Sequence, residues 1–147
     1  MNVVPLTDEY VDAVLQWQYE PPYDVYNPAT NPDELQLLND PARRSGLRAV
    51  VDREQLVGFF NFVPRGSEVH VGLALRPDLT GRGLGRDFVT CGLAYAREKW
   101  SPTSFRLWVR ASNERAQRVY ERSGFRTVRR SCRVSDRLEF VEMERSA

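Results

Sequence analysis

Cysteine and histidine are scarce in this sequence, and their scarcity limits the chemistry that it can carry. The 147 residues include two cysteines, Cys91 and Cys132, and one histidine, His70. A zinc site needs three or four nitrogen or sulfur ligands at characteristic spacings, so we expect no bound metal. The lack of a C-x-x-C motif and the low cysteine count fit a reduced, cytoplasmic protein.

Long apolar runs and a strong net charge are also absent. No run of about 18 apolar residues occurs, and no basic segment followed by an apolar one begins the chain, so neither a membrane helix nor a signal peptide is predicted. The formal net charge is +1, which gives no general reason to expect a nucleic acid or membrane partner.

Two common catalytic motifs are missing as well. No Gly-x-Ser-x-Gly sequence is present, which disfavours a hydrolase with a Ser-His-Asp triad. The glycine-rich segment lacks the Gly-Lys-Ser/Thr ending of a P-loop, which disfavours a nucleoside triphosphatase.

The sequence does have a regular alternation of strand and helix patterns. Its length suits one domain with a continuous core. The order β-α-α-β-β-β-α-β-α-β-β predicts a mixed sheet with helices on both faces. The predicted strands cover residues 2–6, 47–51, 56–63, 68–75, 105–110, 125–128 and 138–143, and the predicted helices cover 8–17 and 32–38 and follow the glycines near 83 and Asn113.

Three alternate glycines, Gly81, Gly83 and Gly85, lie between a predicted strand and a predicted helix. Glycine lets the backbone approach a ligand closely, and the first turn of the following helix presents unpaired N–H groups. The helix dipole favours negative charge at the same place, so the turn suits a phosphate or pyrophosphate. A simple strand-to-helix corner is the alternative reading of this segment.

A second segment carries informative residues at helical spacing. Asn113, Ala116 and Tyr120 are three and four residues apart, so they share one helix face. Gly124 suits the C′ position that ends a helix, and Phe125 begins another apolar strand.

Together the two segments resemble the acetyl-coenzyme A binding motifs of the GNAT superfamily of acyltransferases. The family's pyrophosphate loop reads Q/R-x-x-G-x-G/A, and residues 80–85 match it at both required glycines. Thr80 stands where Gln or Arg is usual. The later run, N-x-x-A-x-x-x-Y-x-x-x-G-F, matches at every named position. The resemblance covers the second half of the chain well and the first half in outline.

The resemblance implies a particular fold for the chain. We expect a single GNAT-type acetyltransferase domain over residues 1–147, of mixed α/β class. Its central sheet is mostly antiparallel, has about six to seven strands and is flanked by helices. The fourth and fifth strands, 68–75 and 105–110, splay apart to admit the pantetheine arm of the cofactor.

The resemblance also implies acetyl-coenzyme A as cosubstrate, with no metal. Backbone groups of the fourth strand receive pantetheine and polarise the thioester carbonyl. The alternative for that strand segment is plain core packing. The expected cofactor-binding residues are Leu73, Ala74, Leu75, Gly81, Arg82, Gly83, Leu84, Gly85, Arg86, Asn113 and Tyr120.

Three side chains are candidates for proton transfer. In the family, the tyrosine that matches Tyr120 protonates the departing sulfur, and a phenol with a reference pKa of ~10 stays protonated near neutrality. Its alternative role is packing. Glu68 and His70 share one face of the fourth strand and are candidate bases, with Glu68 ranked above His70 because a lone histidine is more often structural.

Acceptor recognition is expected between the first helix and the first hairpin. Glu20, Tyr23, Asp24 and Tyr26, near Trp17 and Tyr19, combine aromatic faces with carboxylates, which suits a cationic amine. The alternative is a proline-bounded loop whose aromatic side chains cover the edge of the domain and whose acids are solvated.

These observations together predict a cytoplasmic N-acyltransferase. It moves an acetyl group from acetyl-coenzyme A to a primary amine of a small molecule or peptide, by direct attack in a ternary complex. We expect a monomer or homodimer without a nucleic acid or membrane partner. The alternative is a GNAT-fold module that binds acyl-coenzyme A as a sensor or partner domain, with little catalysis.

Overall fold

The computed structural model describes all 147 residues, and its elements follow the predicted order. Short 3₁₀ turns lie between several of them. The strands are β1 (Asn2–Pro5), β2 (Leu47–Asp52), β3 (Gln55–Arg65), β4 (Glu68–Leu75), β5 (Ser104–Arg110), β6 (Arg126–Cys132) and β7 (Glu139–Ser146). The helices are α1 (Asp8–Val14), α2 (Pro32–Asn39), α3 (Gly85–Trp100) and α4 (Glu114–Arg122).

The seven strands form one sheet in the order β1-β2-β3-β4-β5-β7-β6, so β1 and β6 are its edge strands. The β1–β2, β2–β3, β5–β7 and β6–β7 pairs are antiparallel. The β4–β5 pair is parallel, with three register pairs that join Glu68, Val69 and His70 to the start of β5. The predicted mixed, mostly antiparallel sheet is therefore confirmed, and the short parallel ladder fits the predicted divergence of these two strands.

Side-chain caps explain where α1 and α2 begin. The Thr7 hydroxyl accepts a hydrogen bond from the Tyr10 N–H (3.3 Å), so Thr7 is the N-cap of α1. The Asn31 carboxamide oxygen accepts one from the Glu34 N–H (3.3 Å), with a proline at the next position. Each cap pairs one N–H group that the first helical turn leaves without a partner.

By its internal contacts the chain divides into two compact units: unit 1 comprises Met1–Asn61 and Leu73–Leu84, and unit 2 comprises Phe62–Gly72 and Gly85–Ala147. No helix in the structure combines the length and the apolar character needed to cross a membrane. Unit 1 has a core of buried side chains from β1, α1, α2, β2 and β3. Its members are Leu6, Val11, Val14, Trp17, Leu38, Leu47, Ala49 and Phe59.

Unit 2 has its own buried residues around α3. The buried face of this helix consists of Phe88, Val89, Gly92, Leu93 and Ala96. The aromatic ring of Phe62 lies 5.7 Å from that of Tyr95 and 5.5 Å from that of Trp100. Burial alternates along β5, with Phe105 and Leu107 buried.

The predicted ends of some elements are wrong. Helix α1 stops at Val14, and Trp17 lies beyond it, where its ring packs against that of Phe59 at 6.0 Å. Strand β6 runs to Cys132, four residues further than predicted. Every residue of β6 is exposed, so its sequence lacks the apolar alternation that would have shown its length; pairing with β7 sets it instead.

Candidate functional site

The glycine turn has the backbone that a close ligand contact requires. Gly81 and Gly83 have φ angles of +74° and +78°, in the left-handed region that other residues adopt at a cost. A Cβ built on either residue meets no other atom within 4 Å. The space beside the turn is therefore open, and the residues fit a group that approaches the backbone, such as a pyrophosphate.

The third glycine has a different structural role. Gly85 is the first residue of α3, and a Cβ placed there would lie 3.0 Å and 3.2 Å from the two methyl carbons of Val119 on α4. A Cβ at this position would require the Val119 side chain to shift by a few tenths of an ångström, so glycine suits the close packing of α3 on α4. Because α4 also carries Asn113 at its N-cap and Tyr120, Gly85 holds the start of α3 against the helix that bears these predicted residues.

Thr80, which departs from the family pattern, has a role within the loop. Its hydroxyl donates a hydrogen bond to the Pro77 carbonyl (2.7 Å) and closes the short turn before the glycines. Arg76 pairs with Asp78 in the same turn at 2.6 Å, and this hydrogen bond lowers the pKa of the Asp78 carboxyl. The side chains of Arg76, Asp78 and Thr80 thus stabilise the turn that precedes the glycines.

Tyr120 is positioned by the cap that ends α4. The Phe125 N–H donates to the Tyr120 carbonyl (3.0 Å), and the Gly124 N–H donates to the Glu121 carbonyl (3.0 Å), which is a Schellman motif. Gly124 has a φ of +92°, as predicted for C′. The Tyr120 and Phe125 rings meet edge to face at 6.1 Å, so the cap also supports the phenol ring.

Asn113 caps the other end of the same helix. Its side-chain oxygen accepts a hydrogen bond from the Ala116 N–H (3.1 Å), so Asn113 is the N-cap of α4. The Gln117 carboxamide donates to the carbonyls of Arg110 (3.2 Å) and Ala111 (3.0 Å), so α4 is tied to the end of β5. The sequence analysis did not single out Gln117.

The end of β4 is tied to the segment predicted to bind the acceptor. The Tyr19 hydroxyl donates to the Leu75 carbonyl at 2.6 Å, and the Tyr19 N–H donates to the Asn27 side chain at 2.7 Å. Leu73, Ala74 and Leu75 are half-buried. These contacts lie within unit 1 and fix one of the aromatic residues of the segment on the strand.

The acceptor segment itself is partly structural and partly exposed. Trp17 is only 8% exposed and belongs to the unit 1 core, so it is not available to an amine. Tyr23–Tyr26 form a 3₁₀ turn, with Tyr23 and Tyr26 half-buried. Glu20 and Asp24 are exposed beside them, which leaves both of their predicted alternatives open.

Glu68 and His70 lie together on one face of β4, as predicted. The Glu68 Oε1 atom is 3.7 Å from the His70 Nε2 atom. The other carboxylate oxygen, Oε2, accepts hydrogen bonds from Arg106 Nε (3.0 Å) and Ser104 Oγ (3.3 Å). The Arg106 hydrogen bond is the main reason why the pKa of Glu68 lies below its ordinary value, with its charge acting in the same direction.

Arg106 belongs to a larger network that the sequence analysis missed. Its guanidinium donates to Glu142 (2.7 Å) and to Glu144 (3.2 Å) on β7. Glu142, which is almost fully buried, also accepts from the Trp108 indole N–H (2.9 Å) and pairs with Arg129 of β6 (3.0 Å). Strand alternation does place Arg106 and Trp108 on the polar face of β5, but the register with β7 is not visible in the sequence.

The other residues predicted to bind the cofactor differ in how exposed their side chains are. Arg82 and Arg86 have exposed side chains, and Leu84 is half-buried. The described residues contain no group of three or more His, Cys, Asp or Glu side chains that could hold a metal ion. Burial raises the pKa of the Cys91 thiol, which makes it a poor nucleophile.

Comparison with known proteins supports an acetyltransferase. The model of the acetyltransferase (GNAT) family matches residues 11–125 of this chain, which include the glycine turn and all of α4. The chain therefore belongs to the GNAT family of acetyltransferases, and the family predicted from the two motifs is confirmed.

Several curated relatives share the name mycothiol acetyltransferase. The one from Streptomyces coelicolor is 42% identical over 77 residues, which are 50% of this chain and 24% of the relative. The one from Rhodococcus jostii is 36% identical over 85 residues, 52% of this chain and 27% of the relative. The matched segment thus spans about a quarter of the length of these relatives.

Solved structures with low sequence identity share the fold. The aminoglycoside acetyltransferase AAC(6')-Ib, in complex with ribostamycin and coenzyme A, has a TM-score of 0.78 at 14% identity, and the match covers 99% of this chain and 92% of that one. A chimera of the spermidine N-acetyltransferase SpeG from Vibrio cholerae and hSSAT has a TM-score of 0.76 at 17% identity, with 99% and 96% covered.

Proposed function

We propose that residues 1–147 act as one N-acetyltransferase domain that moves an acetyl group from acetyl-coenzyme A to a primary amine. The observation that carries the proposal is the turn at Gly81 and Gly83, whose left-handed backbone has open space beside it. Such a turn at the start of a helix suits the pyrophosphate of coenzyme A. The acceptor is a small molecule or a peptide.

The cofactor-binding role extends to the predicted neighbours of this turn. Backbone amides from Gly81 to Arg86 meet the phosphates, and Leu73–Leu75 supply backbone partners for pantetheine. An N–H group near Leu73 or Ala74 polarises the thioester carbonyl, because a fixed donor stabilises the charge that develops on its oxygen. Asn113 adds a contact to the cofactor or to an ordered water, besides capping α4.

Acetyl-coenzyme A supplies an activated thioester, and the protein supplies proton transfer around it. A base on the Glu68 and His70 face of β4 removes a proton from the ammonium form of the acceptor. The amine nitrogen then forms a bond to the carbonyl carbon while the C–S bond breaks. Tyr120 would donate its phenolic proton to the departing sulfur, and the second proton, which the nitrogen loses as the amide forms, would return to the phenolate through solvent. The Schellman cap fixes the Tyr120 ring for this task.

The acceptor is proposed to be a cationic amine bound near Glu20, Tyr23, Asp24 and Tyr26. Their exposed carboxylates and half-buried rings suit charge pairing and cation–π contact. The names of similar proteins support an amine, since one is a spermidine N-acetyltransferase and another was solved with the aminoglycoside ribostamycin.

A thiol-release assay tests this function. The protein is mixed with acetyl-coenzyme A, a thiol reagent and a panel of spermidine, ribostamycin, amino sugars and peptides with free N-termini. We expect release of coenzyme A that depends on one class of amine, with a mass increase of one acetyl group on that amine. Calorimetric binding of coenzyme A without turnover over the whole panel would instead support the sensor module.

A further inference from the structure

We propose that the side chains of Arg86, Arg118 and Arg122 form a subsite for a phosphate monoester, the 3′-phosphate of coenzyme A. The inference rests on the proposed function and specifies which part of the cofactor these side chains recognise. It makes the domain selective for a free acyl-coenzyme A over donors that lack this phosphate, such as dephospho-coenzyme A or a phosphopantetheine attached to a carrier protein.

The packing of α3 on α4 places the three arginines beside one another within unit 2. A Cβ on Gly85, the first residue of α3, would lie 3.0 Å from a methyl carbon of Val119 on α4. Arg86 follows Gly85 in the first turn of α3, and Arg118 precedes Val119. Arg122 lies four residues after Arg118, so both are on the same side of α4. Three guanidinium side chains therefore surround the point where the two helices meet.

These three arginines have charges that the folded chain does not neutralise. All of them are exposed, and none forms an ion pair with a carboxylate. Arg106 of the same unit, in contrast, is paired with Glu142. Arg118 and Arg122 are like charges at the i, i+4 spacing, an arrangement that destabilises a helix. An anion bound beside them would remove this repulsion.

Helix electrostatics alone does not explain the arrangement. Arg122 lies in the last turn of α4, where the helix dipole favours a cation even without a ligand. Arg118 lies in the middle of the helix and gains nothing from the dipole. Arg86 lies in the first turn of α3, where the dipole disfavours a cation and Asp87 is the one acid of that turn. An anion at the start of α3 would favour both Arg86 and the helix.

The 3′-phosphate of coenzyme A suits this position for chemical reasons. It is joined to the pyrophosphate through one ribose ring, so a pyrophosphate at the first turn of α3 brings it close to the same helix ends. A phosphate monoester has a second pKa of ~6 and therefore carries nearly two negative charges at neutral pH. Guanidinium groups donate paired hydrogen bonds whose geometry matches phosphate oxygens.

Isothermal calorimetry with coenzyme A and with dephospho-coenzyme A tests the subsite, because the two ligands differ only in the 3′-phosphate. We expect the wild type to bind coenzyme A ~10-fold more tightly, as a few exposed charge pairs allow. The double change Arg118→Gln and Arg122→Gln should lower coenzyme A affinity ~5–10-fold and leave dephospho-coenzyme A affinity within ~2-fold of the wild type. Arg86→Gln should reduce the preference ~2–5-fold.

Two further variants control for charge and for fold. Arg65→Gln with Arg137→Gln removes the same charge from exposed positions of unit 2, in the β3–β4 and β6–β7 turns, and should keep the full preference. Arg118→Lys with Arg122→Lys should keep part of it, because lysine keeps the charge and loses the paired hydrogen bonds. Glutamine and lysine suit a helix nearly as well as arginine, and circular dichroism verifies that α4 is retained.

A preference for coenzyme A that survives unchanged in the Arg118 and Arg122 double glutamine variant overturns the inference. An equal loss of affinity for both ligands in that variant overturns it too, because the arginines would then act on another part of the cofactor or on the fold.

The proposed function fails separately from this subsite. If the wild type prefers coenzyme A as expected but acetylates no amine, acetyl transfer is refuted and the subsite stands. If the wild type is active and binds both ligands equally, the subsite is refuted and acetyl transfer stands. Failure to bind either ligand would refute both.

Discussion

At the scale of single residues, Gly83 and Gly66 form a natural pair for testing the glycine turn. Both have positive φ angles, +78° and +59°, and a Cβ on either meets nothing within 4 Å. A change to valine therefore imposes similar backbone strain at both, of about 1–3 kcal/mol. Only Gly83 lies in the proposed phosphate turn.

We predict that Gly83→Val lowers coenzyme A affinity by more than ~10-fold, or about 1.4 kcal/mol, because the branched side chain fills the space that the pyrophosphate needs. Gly66→Val should lose similar stability and bind normally. Isothermal calorimetry with both folded variants measures the difference. Equal affinity of Gly83→Val and the wild type would mean that the turn is only a corner of the fold.

Tyr120 is the residue at which binding and chemistry can be separated. Tyr120→Phe removes one oxygen and keeps the ring that packs on Phe125. We predict a fall in kcat of ~10²–10⁴-fold with little change in coenzyme A affinity, the usual size of general acid catalysis. Steady-state kinetics under conditions where chemistry limits turnover, with calorimetry alongside, provides the check. An unchanged kcat would assign Tyr120 to packing or cofactor contact.

Some residues were predictable from sequence because their roles are local. The C′ position of Gly124 was predicted and is confirmed, and the N-caps at Thr7, Asn31 and Asn113 likewise depend on neighbours within a few residues. The role of Arg106 was not predictable, because its three partners, Glu68, Glu142 and Glu144, come from two other strands, β4 and β7. The spacing of residues in the sequence does not show how β5 aligns with β4 and β7.

At the scale of secondary-structure elements, the end of α4 links stability to the position of Tyr120. Gly124→Ala places a Cβ at a φ of +92° and 3.2 Å from the Arg145 guanidinium, which itself donates to the Ser123 carbonyl (2.6 Å). We predict a loss of about 1–3 kcal/mol in the free energy of unfolding, measured by urea denaturation. The folded fraction should also show a lower kcat.

A second cap variant serves as the control for this effect. Thr7→Ala removes the N-cap of α1 and should cost about 1 kcal/mol, which is comparable, without changing kcat. If Gly124→Ala destabilises the protein and leaves kcat at the wild-type value, the cap does not position Tyr120.

The elements themselves were largely predictable, and their ends were not. Strand β4 and the core face of α3 follow from apolar periodicity, which burial confirms. Strand β6 was predicted at residues 125–128, but its end at Cys132 was missed because a fully exposed strand has no buried face to produce a pattern. Trp17 was placed at the end of the predicted first helix and beside the acceptor segment, because the sequence does not show that its ring packs against Phe59 in the core.

At the scale of the whole molecule, the acceptor segment can be tested through its charge. The double change Glu20→Gln and Asp24→Asn nearly keeps the shape and removes two negative charges from exposed positions. We predict a ~2–10-fold rise in KM for the amine and no change in coenzyme A affinity, in line with the modest energy of exposed charge pairs.

Salt provides the internal control for this prediction. At 1 M salt the Debye length is ~3 Å, so wild-type KM should approach that of the double variant. A neutralised variant with wild-type KM for its true amine would place these acids in a solvated loop. The acceptor would then be sought near the hairpin around Asp136, where the Arg133 hydrogen bond lowers the carboxyl pKa to about 2.

The two edge strands of the sheet, β1 and β6, have features that disfavour the pairing of a second copy with the sheet. An exposed edge is a template on which a second copy can add a strand and begin aggregation. β1 has only four residues and ends in Pro5, which offers no N–H. β6 is longer but carries Arg126, Arg129 and Arg130, so two copies aligned along it would bring like charges together. The cationic edge therefore opposes the addition of a strand from a second copy, at the cost of an exposed strand with little packing.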